Sequence, residues 1–190
     1  MRVNDIFTAT YSPGSDPLVP KMEVRISDQQ ERYPQSLVSV AQALSDGRPS
    51  AVFVQQEFGC TNLFVGFGRR LDNGSSWPHC ELEMGSYSGT WRILQDGKIM
   101  LGSCEVLTEL EFQEKLNGIQ FGKIIDITII SALDMRVSFS NRVDIEFLCC
   151  DSDEETFHCF LPHGKIAVYN SQFVWKEELP ENFCCDEKRD

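Results

Sequence analysis

Between Ile119 and Phe160 the chain alternates in polarity, and that alternation constrains the fold more than any other stretch. Ile125, Ile127 and Ile129 are separated by Asp126 and Thr128, with Ile130 following. Met135, Val137 and Phe139 are separated by Arg136 and Ser138; Val143, Ile145 and Phe147 are separated by Asp144 and Glu146. A period of two places each apolar set on one face of a sheet and each polar set on the other. Ser140-Asn141-Arg142 divides the second run from the third and predicts a hairpin, with Asn141 suited to a left-handed turn position. The acidic stretch Asp151-Ser152-Asp153-Glu154-Glu155 comes next, and Phe157-His158-Cys159-Phe160-Leu161 resumes the strand pattern.

The remaining segments fit around this centre. Three prolines in residues 12–20 predict a loop, and Met22–Ile26 reads as a short strand. Leu37, Val40, Ala41 and Leu44 recur at helical spacing, with Pro34 near the expected start and Gly47 after the expected end. Ala51–Val54, Asn62–Phe67 and Cys80–Met84 read as strands, with a loop over Leu71–Pro78. Trp91–Leu94 and Lys98–Leu101 flank Asp96-Gly97, a strong hairpin signal. Thr108 and Glu111 have the spacing of a capping box, Leu107 and Phe112 that of a hydrophobic staple, and Asn117-Gly118 predicts a left-handed helix exit. Lys165–Tyr169 and Phe173–Trp175 close the structured part. The fold expected is therefore α+β: a mainly antiparallel sheet of short, hairpin-linked strands with two helices. One domain over residues 1–175 is expected, with Gly85–Gly89 offering a subdivision near 85–90, and residues 176–190 read as an acidic, frayed tail.

Charge narrows the function. The formal net charge is −12, and it is concentrated: residues 101–190 carry 18 acidic against 8 basic side chains, residues 1–100 carry 11 against 9. Such a surface repels nucleic acid and favours basic proteins. No apolar run is long enough for a membrane span, and Met1–Asp5 lacks the apolar centre of an export signal, so a cytoplasmic protein is expected. Eight cysteines in a chain this long, several of them within strand patterns, read as reduced structural thiols.

Catalytic signatures are weak. Gly66-Phe67-Gly68 lacks the third glycine and the lysine of a phosphate loop and reads instead as room for a neighbouring group. Gly85-Ser86-Tyr87-Ser88-Gly89 has tyrosine where a nucleophile elbow needs serine. His79-Cys80-Glu81 matches half of a zinc-deaminase signature, without the partner cysteine pair. Cys149, Cys150, His158 and Cys159 offer an alternative reading as a small enzyme or zinc site, although adjacent strand residues point to opposite faces. Asp151–Glu155 lacks the glycine and terminal glutamate of a calcium loop. No cofactor or metal is expected, and a binder is favoured over an enzyme. The candidate partner contacts are Asp144 and Glu146 on one strand, Asp151, Asp153, Glu154 and Glu155 in the loop it feeds, and Trp77 as an exposed anchor beside Pro78. Trp91 and Trp175 read as core residues. Set against this, a solvated acidic surface that serves only solubility accounts for the same charges.

Trp91-Arg92-Ile93, Asp96-Gly97-Lys98-Ile99, Gly102-Ser103, the helix Thr108–Asn117, Gly122-Lys123-Ile124, Asp134, Phe139-Ser140-Asn141, Glu154-Glu155 and Trp175 follow an order that resembles a group of small bacterial proteins with immunity-protein-like members. The Leu37–Leu44 helix and Leu63-Phe64-Val65-Gly66-Phe67 are similar to segments of immunity proteins in polymorphic toxin systems. The resemblance spans about two-thirds of the chain and implies an acidic cytoplasmic protein that binds and blocks a basic toxin domain, such as a nuclease. It supplies no functional residues. A homodimer formed by pairing of sheet edges is a further reading.

Overall fold

The computed structural model describes residues 26–57, 60–71, 79–87, 90–131, 133–149, 155–162, 164–170 and 175–178. The elements are α1 (Ile26–Ser45), β1 (Ala51–Glu57), β2 (Cys60–Arg70), β3 (Cys80–Ser86), β4 (Trp91–Gln95), β5 (Lys98–Gly102), α2 (Glu109–Asn117), β6 (Ile124–Ile129), β7 (Met135–Phe139), β8 (Val143–Phe147), β9 (Glu155–Phe160), β10 (Ile166–Asn170) and β11 (Trp175–Glu178). They form two antiparallel sheets, ordered β1-β2-β3-β9-β10-β11 and β5-β4-β8-β7-β6. The expected α+β class with antiparallel pairing is thus observed. Two helices and two sheets account for it.

One apolar cluster joins the sheets. Leu63, Val65, Phe67, Leu82 and Met84 enter it from the six-stranded sheet; Ile93, Val137, Phe139, Ile145 and Phe147 enter it from the five-stranded sheet. Alternation explains the choice, since each set recurs at every second position. Trp91 ties the layers together directly. It is 2% exposed, its indole N–H donates to the Thr61 carbonyl at 2.5 Å, and its ring meets Phe112 of α2 edge-on at 5.9 Å. Leu37, Val38 and Ala41 bring α1 into the same cluster, where the helix packs against β6, β2 and β3. Among the described residues no helix is long and apolar enough to cross a membrane.

Local signals act as their chemistry dictates in several places. Asp96 and Gly97 both take positive φ, 53° and 74°, as the tight β4–β5 hairpin requires. Thr108 and Glu111 form the reciprocal capping box at the start of α2. A side chain on Gly66 would overlap Cys80 Sγ, so the expected room for a neighbour is real and a thiol fills it.

Elsewhere the fold departs from expectation. Pro34 lies inside α1, which begins at Ile26; the expected Met22–Ile26 strand therefore falls partly outside the described residues, and its last residue is helical. Gly118 leaves α2 at φ −78°, a right-handed exit, because its N–H bonds the Lys115 carbonyl and extends the last turn. In the β7–β8 hairpin the left-handed residue is Arg142 (φ 59°), not Asn141, whose side chain instead donates to the Gln120 carbonyl at 3.0 Å. β11 continues to Glu178, so ordered pairing with β10 extends into the expected tail.

The three-isoleucine face of β6 is broken as well. Register shifts at Ile125, so Ile124 and Ile127 enter the core while Ile125 is 56% exposed. A matching shift at Met100 interrupts β5. These two strands are the edges of the five-stranded sheet, where bulges discourage pairing with another chain.

Candidate functional site

The outer face of the five-stranded sheet collects most of the polar side chains flagged by the alternation. Cross-strand register sets them in rows. Asp126, Ser138, Asp144, Leu94 and Ile99 stand opposite one another across all five strands. The neighbouring row is Thr128, Arg136, Glu146, Arg92 and Gly102. Asp144 and Glu146 do share one face of β8, but their surroundings differ sharply.

Glu146 is held by the protein itself. Its side chain is 2% exposed, with Arg92 Nε donating to Oε2 at 2.5 Å and Arg136 donating from Nε at 3.0 Å and from Nη2 at 2.5 Å to Oε1. Burial alone raises the carboxyl pKa, but the hydrogen bonds from Arg136 and Arg92 outweigh it and leave the group below the usual carboxylate value. A partner's cation finds no exposed carboxylate here. Glu146, expected as a partner contact, is thus a buried, paired carboxylate that fixes two half-exposed guanidinium groups on the face.

Asp144 is placed differently. It is partly exposed and accepts from the Ser138 hydroxyl at 2.6 Å. On the other side of Ser138, Asp126 accepts from the Thr128 hydroxyl at 2.8 Å and from the Ile127 N–H at 2.9 Å. Among the described residues no lysine or arginine pairs with either carboxylate. Two strand spacings separate their backbones by roughly 10 Å. Asp126 was legible as a polar position in the β6 pattern, but its placement beside Asp144 depends on the bulge at Ile125. Asp151, Asp153, Glu154 and Trp77 lie outside the described residues, and of Glu155 only the backbone is described, at the start of β9.

Among the described residues, Cys149, His158 and Cys159 do not gather as ligands of one ion. Cys159 joins the core cluster, whereas the His158 ring meets Tyr87 edge-on at 5.0 Å among aromatic residues outside that cluster. Burial pushes the Cys159 thiol well above its ordinary pKa. Cys150 lies outside the described residues. Among the described residues no three His, Cys, Asp or Glu side chains gather as a metal site.

A titratable pair does form at the start of β3. Glu83, 3% exposed, approaches His79 Nδ1 at 3.5 Å and accepts weakly from the Cys80 N–H at 3.4 Å. Burial raises the Glu83 carboxyl to about 7, partly offset by the Cys80 N–H, and burial lowers the His79 pKa. Both directions disfavour the charged forms, so this contact is not an ion pair of full strength. Burial and then Glu83 push the Cys80 thiol up to about 11, which removes it as a nucleophile at neutral pH. Glu81, the carboxylate in the half-signature, turns instead to the Arg69 N–H at 2.9 Å. Among the described residues no metal-ligating group joins the half-signature.

Geometry thus leaves a sheet face with two carboxylates that no cation among the described residues meets, and a clamped Arg–Glu–Arg row. No family model, curated protein or solved structure matches this chain.

The clamp makes its own prediction. Replacing Glu146 with glutamine leaves the two guanidinium groups beside a neutral amide and removes the charge that binds them. Their partial exposure lets water compensate, so the expected loss is about 1–3 kcal/mol, below the usual cost of breaking a fully buried pair. Chemical denaturation at pH 7 measures it. Because the native pKa is depressed, this contribution is complete above the unfolded value of 4.5 and is lost as pH falls through the native value. The glutamine variant should therefore converge with the parent in acid.

Proposed function

We propose that this chain is a non-enzymatic binding protein, an immunity protein of the polymorphic-toxin type that occludes the active site of a basic toxin such as a nuclease. The observation that carries the reading is the Asp126–Ser138–Asp144 row. It sets two carboxylates on one sheet face with no cation of the described chain against them. The net charge of −12 adds a long-range attraction to a basic partner. Leu94 and the 62%-exposed Ile99 continue the row, and apolar area beside charge suits a contact that excludes water. In this reading Asp126 and Asp144 meet the toxin's substrate-binding Arg or Lys residues, and Glu146 keeps Arg92 and Arg136 in place at the edge of the contact. The acids from Asp151 to Glu155 remain part of the proposal on charge alone.

Capture of the tagged chain from its source cells tests this. The expected result is a co-purifying protein with a basic domain. Recovery should fall about tenfold or more when Asp126 and Asp144 are both changed to lysine, since like charges then face the partner. Recovery of housekeeping proteins alone, or undiminished recovery by the double variant, contradicts the proposal.

A further inference from the structure

Two adjoining depressions, of ≈640 Å³ and ≈390 Å³, form a groove along β1, and Ser50, Ala51, Val52 and Asn117 line both. Consecutive residues from Ser50 through Gln56 make one wall. Side chains in a strand alternate between faces, so an unbroken series can line one groove only if the main-chain edge forms its wall. β1 is the outermost strand of its sheet, and among the described residues no other strand pairs with that edge. Facing β1 in the larger depression is a stripe of α2, namely Glu109, Gln113 and Asn117 at intervals of four.

Two carboxamides already bridge the walls. Gln113 Nε2 donates to the Val52 carbonyl at 3.1 Å, and Gln56 Nε2 donates to the Leu107 carbonyl at 2.8 Å. The first contact shows that the Val52 main chain faces the groove. Antiparallel alternation gives Val54 and Gln56 the same orientation. Among the described residues none meets the outward N–H and C=O of Val54. A carboxamide is a peptide group on a side chain, so the Gln113 bridge occupies at Val52 the place that a peptide N–H of an added strand would fill, while the Gln56 bridge spans the groove to Leu107. The ends are charged oppositely. Glu109 lies at the Gln56–Leu107 end, and Arg70 and Arg48 line the end at Ser50. Two aromatic residues line the groove, Phe53 and Phe121, at 6% and 7% exposure, so neither ring offers a face for stacking on a sugar.

We infer that this groove binds an extended polypeptide segment of a partner protein, which adds to the free edge of β1 and displaces the Gln113 and Gln56 side chains. The segment carries a basic side chain where it meets Glu109 and an acidic group where it meets Arg48 and Arg70. Affinity comes from main-chain hydrogen bonds, and the charged ends set direction. The surface is separate from the Asp126–Asp144 face and does not depend on the role proposed for that face.

A library of random linear peptides, displayed and selected on the full chain, supplies the probe. Selected peptides should carry opposite charges at their two ends. N-methylation of alternate amides should weaken them about tenfold in one register and little in the other, the signature of an added strand. Val54→Pro removes the outward N–H without touching the β2 ladder and should weaken binding by a similar factor, whereas the Asp126 and Asp144 lysine variants should bind these peptides as the parent does. Failure to select any peptide, equal losses in both methylation registers, or unchanged binding by a folded Val54→Pro variant overturns the inference. Slow hydrogen exchange at the Val54 amide before any peptide is added does the same, because the edge is then already filled.

Discussion

Replacing Trp91 with alanine should cost about 3–5 kcal/mol of folding stability, the usual range for removing a buried large aromatic side chain. Three losses combine. The indole is 2% exposed in the cluster shared by both sheets, so its removal leaves a void that neighbours fill only in part. Its edge contact with Phe112 disappears, which loosens α2. The Thr61 carbonyl loses its donor across the layers. Phenylalanine at 91 separates these effects: it keeps most of the apolar volume and removes the N–H, so a smaller loss of about 1–3 kcal/mol is expected. Denaturant titration of both variants measures the difference. If alanine and phenylalanine cost the same small amount, Trp91 does not join the layers.

Glu83→Gln should stabilise the protein at neutral and alkaline pH. The native carboxyl titrates at about 7, against an unfolded value of 4.5. Between those two values the folded chain holds a proton that the unfolded chain has released, so stability falls as pH rises. The penalty grows to about 3 kcal/mol and is constant above the native pKa. Glutamine cannot ionise, yet its amide still accepts from the Cys80 N–H and can donate to His79. The variant should match the parent near pH 4 and exceed it by about 3 kcal/mol at pH 8. Paired denaturation curves across this range cancel the contribution of every other carboxyl. A variant less stable than the parent at pH 8 would show that ionised Glu83 has a partner stronger than His79.

Features set by neighbours in sequence were legible before any coordinates. The Asp96-Gly97 turn and the Thr108–Glu111 capping box depend on residues within four positions, and both form. Alternation in Met135–Phe139 and Val143–Phe147 correctly marks which side chains enter the core. Distant pairing was hidden. Glu146 looks on its own strand like another exposed acid, and only the register of β4, β8 and β7 brings Arg92 and Arg136 against it. The same holds for the division of strands between sheets, since β9 follows β8 in sequence yet pairs with β3 and β10. Bulges escape a strict period of two, so alternation points Ile125 inward although it faces out. Glu83 lies among apolar neighbours in β3, and its raised pKa comes from a burial that composition does not reveal.

The association rate of the chain with its captured partner, followed against ionic strength, bears most directly on the acidic face. With Asp126 and Asp144 intact, the rate should be fast at low salt and fall steeply as salt screens the attraction. With lysine at both positions it should be about tenfold slower at low salt and respond less to added salt. An association rate indifferent to salt and to both charge reversals would contradict a basic partner docking on this sheet.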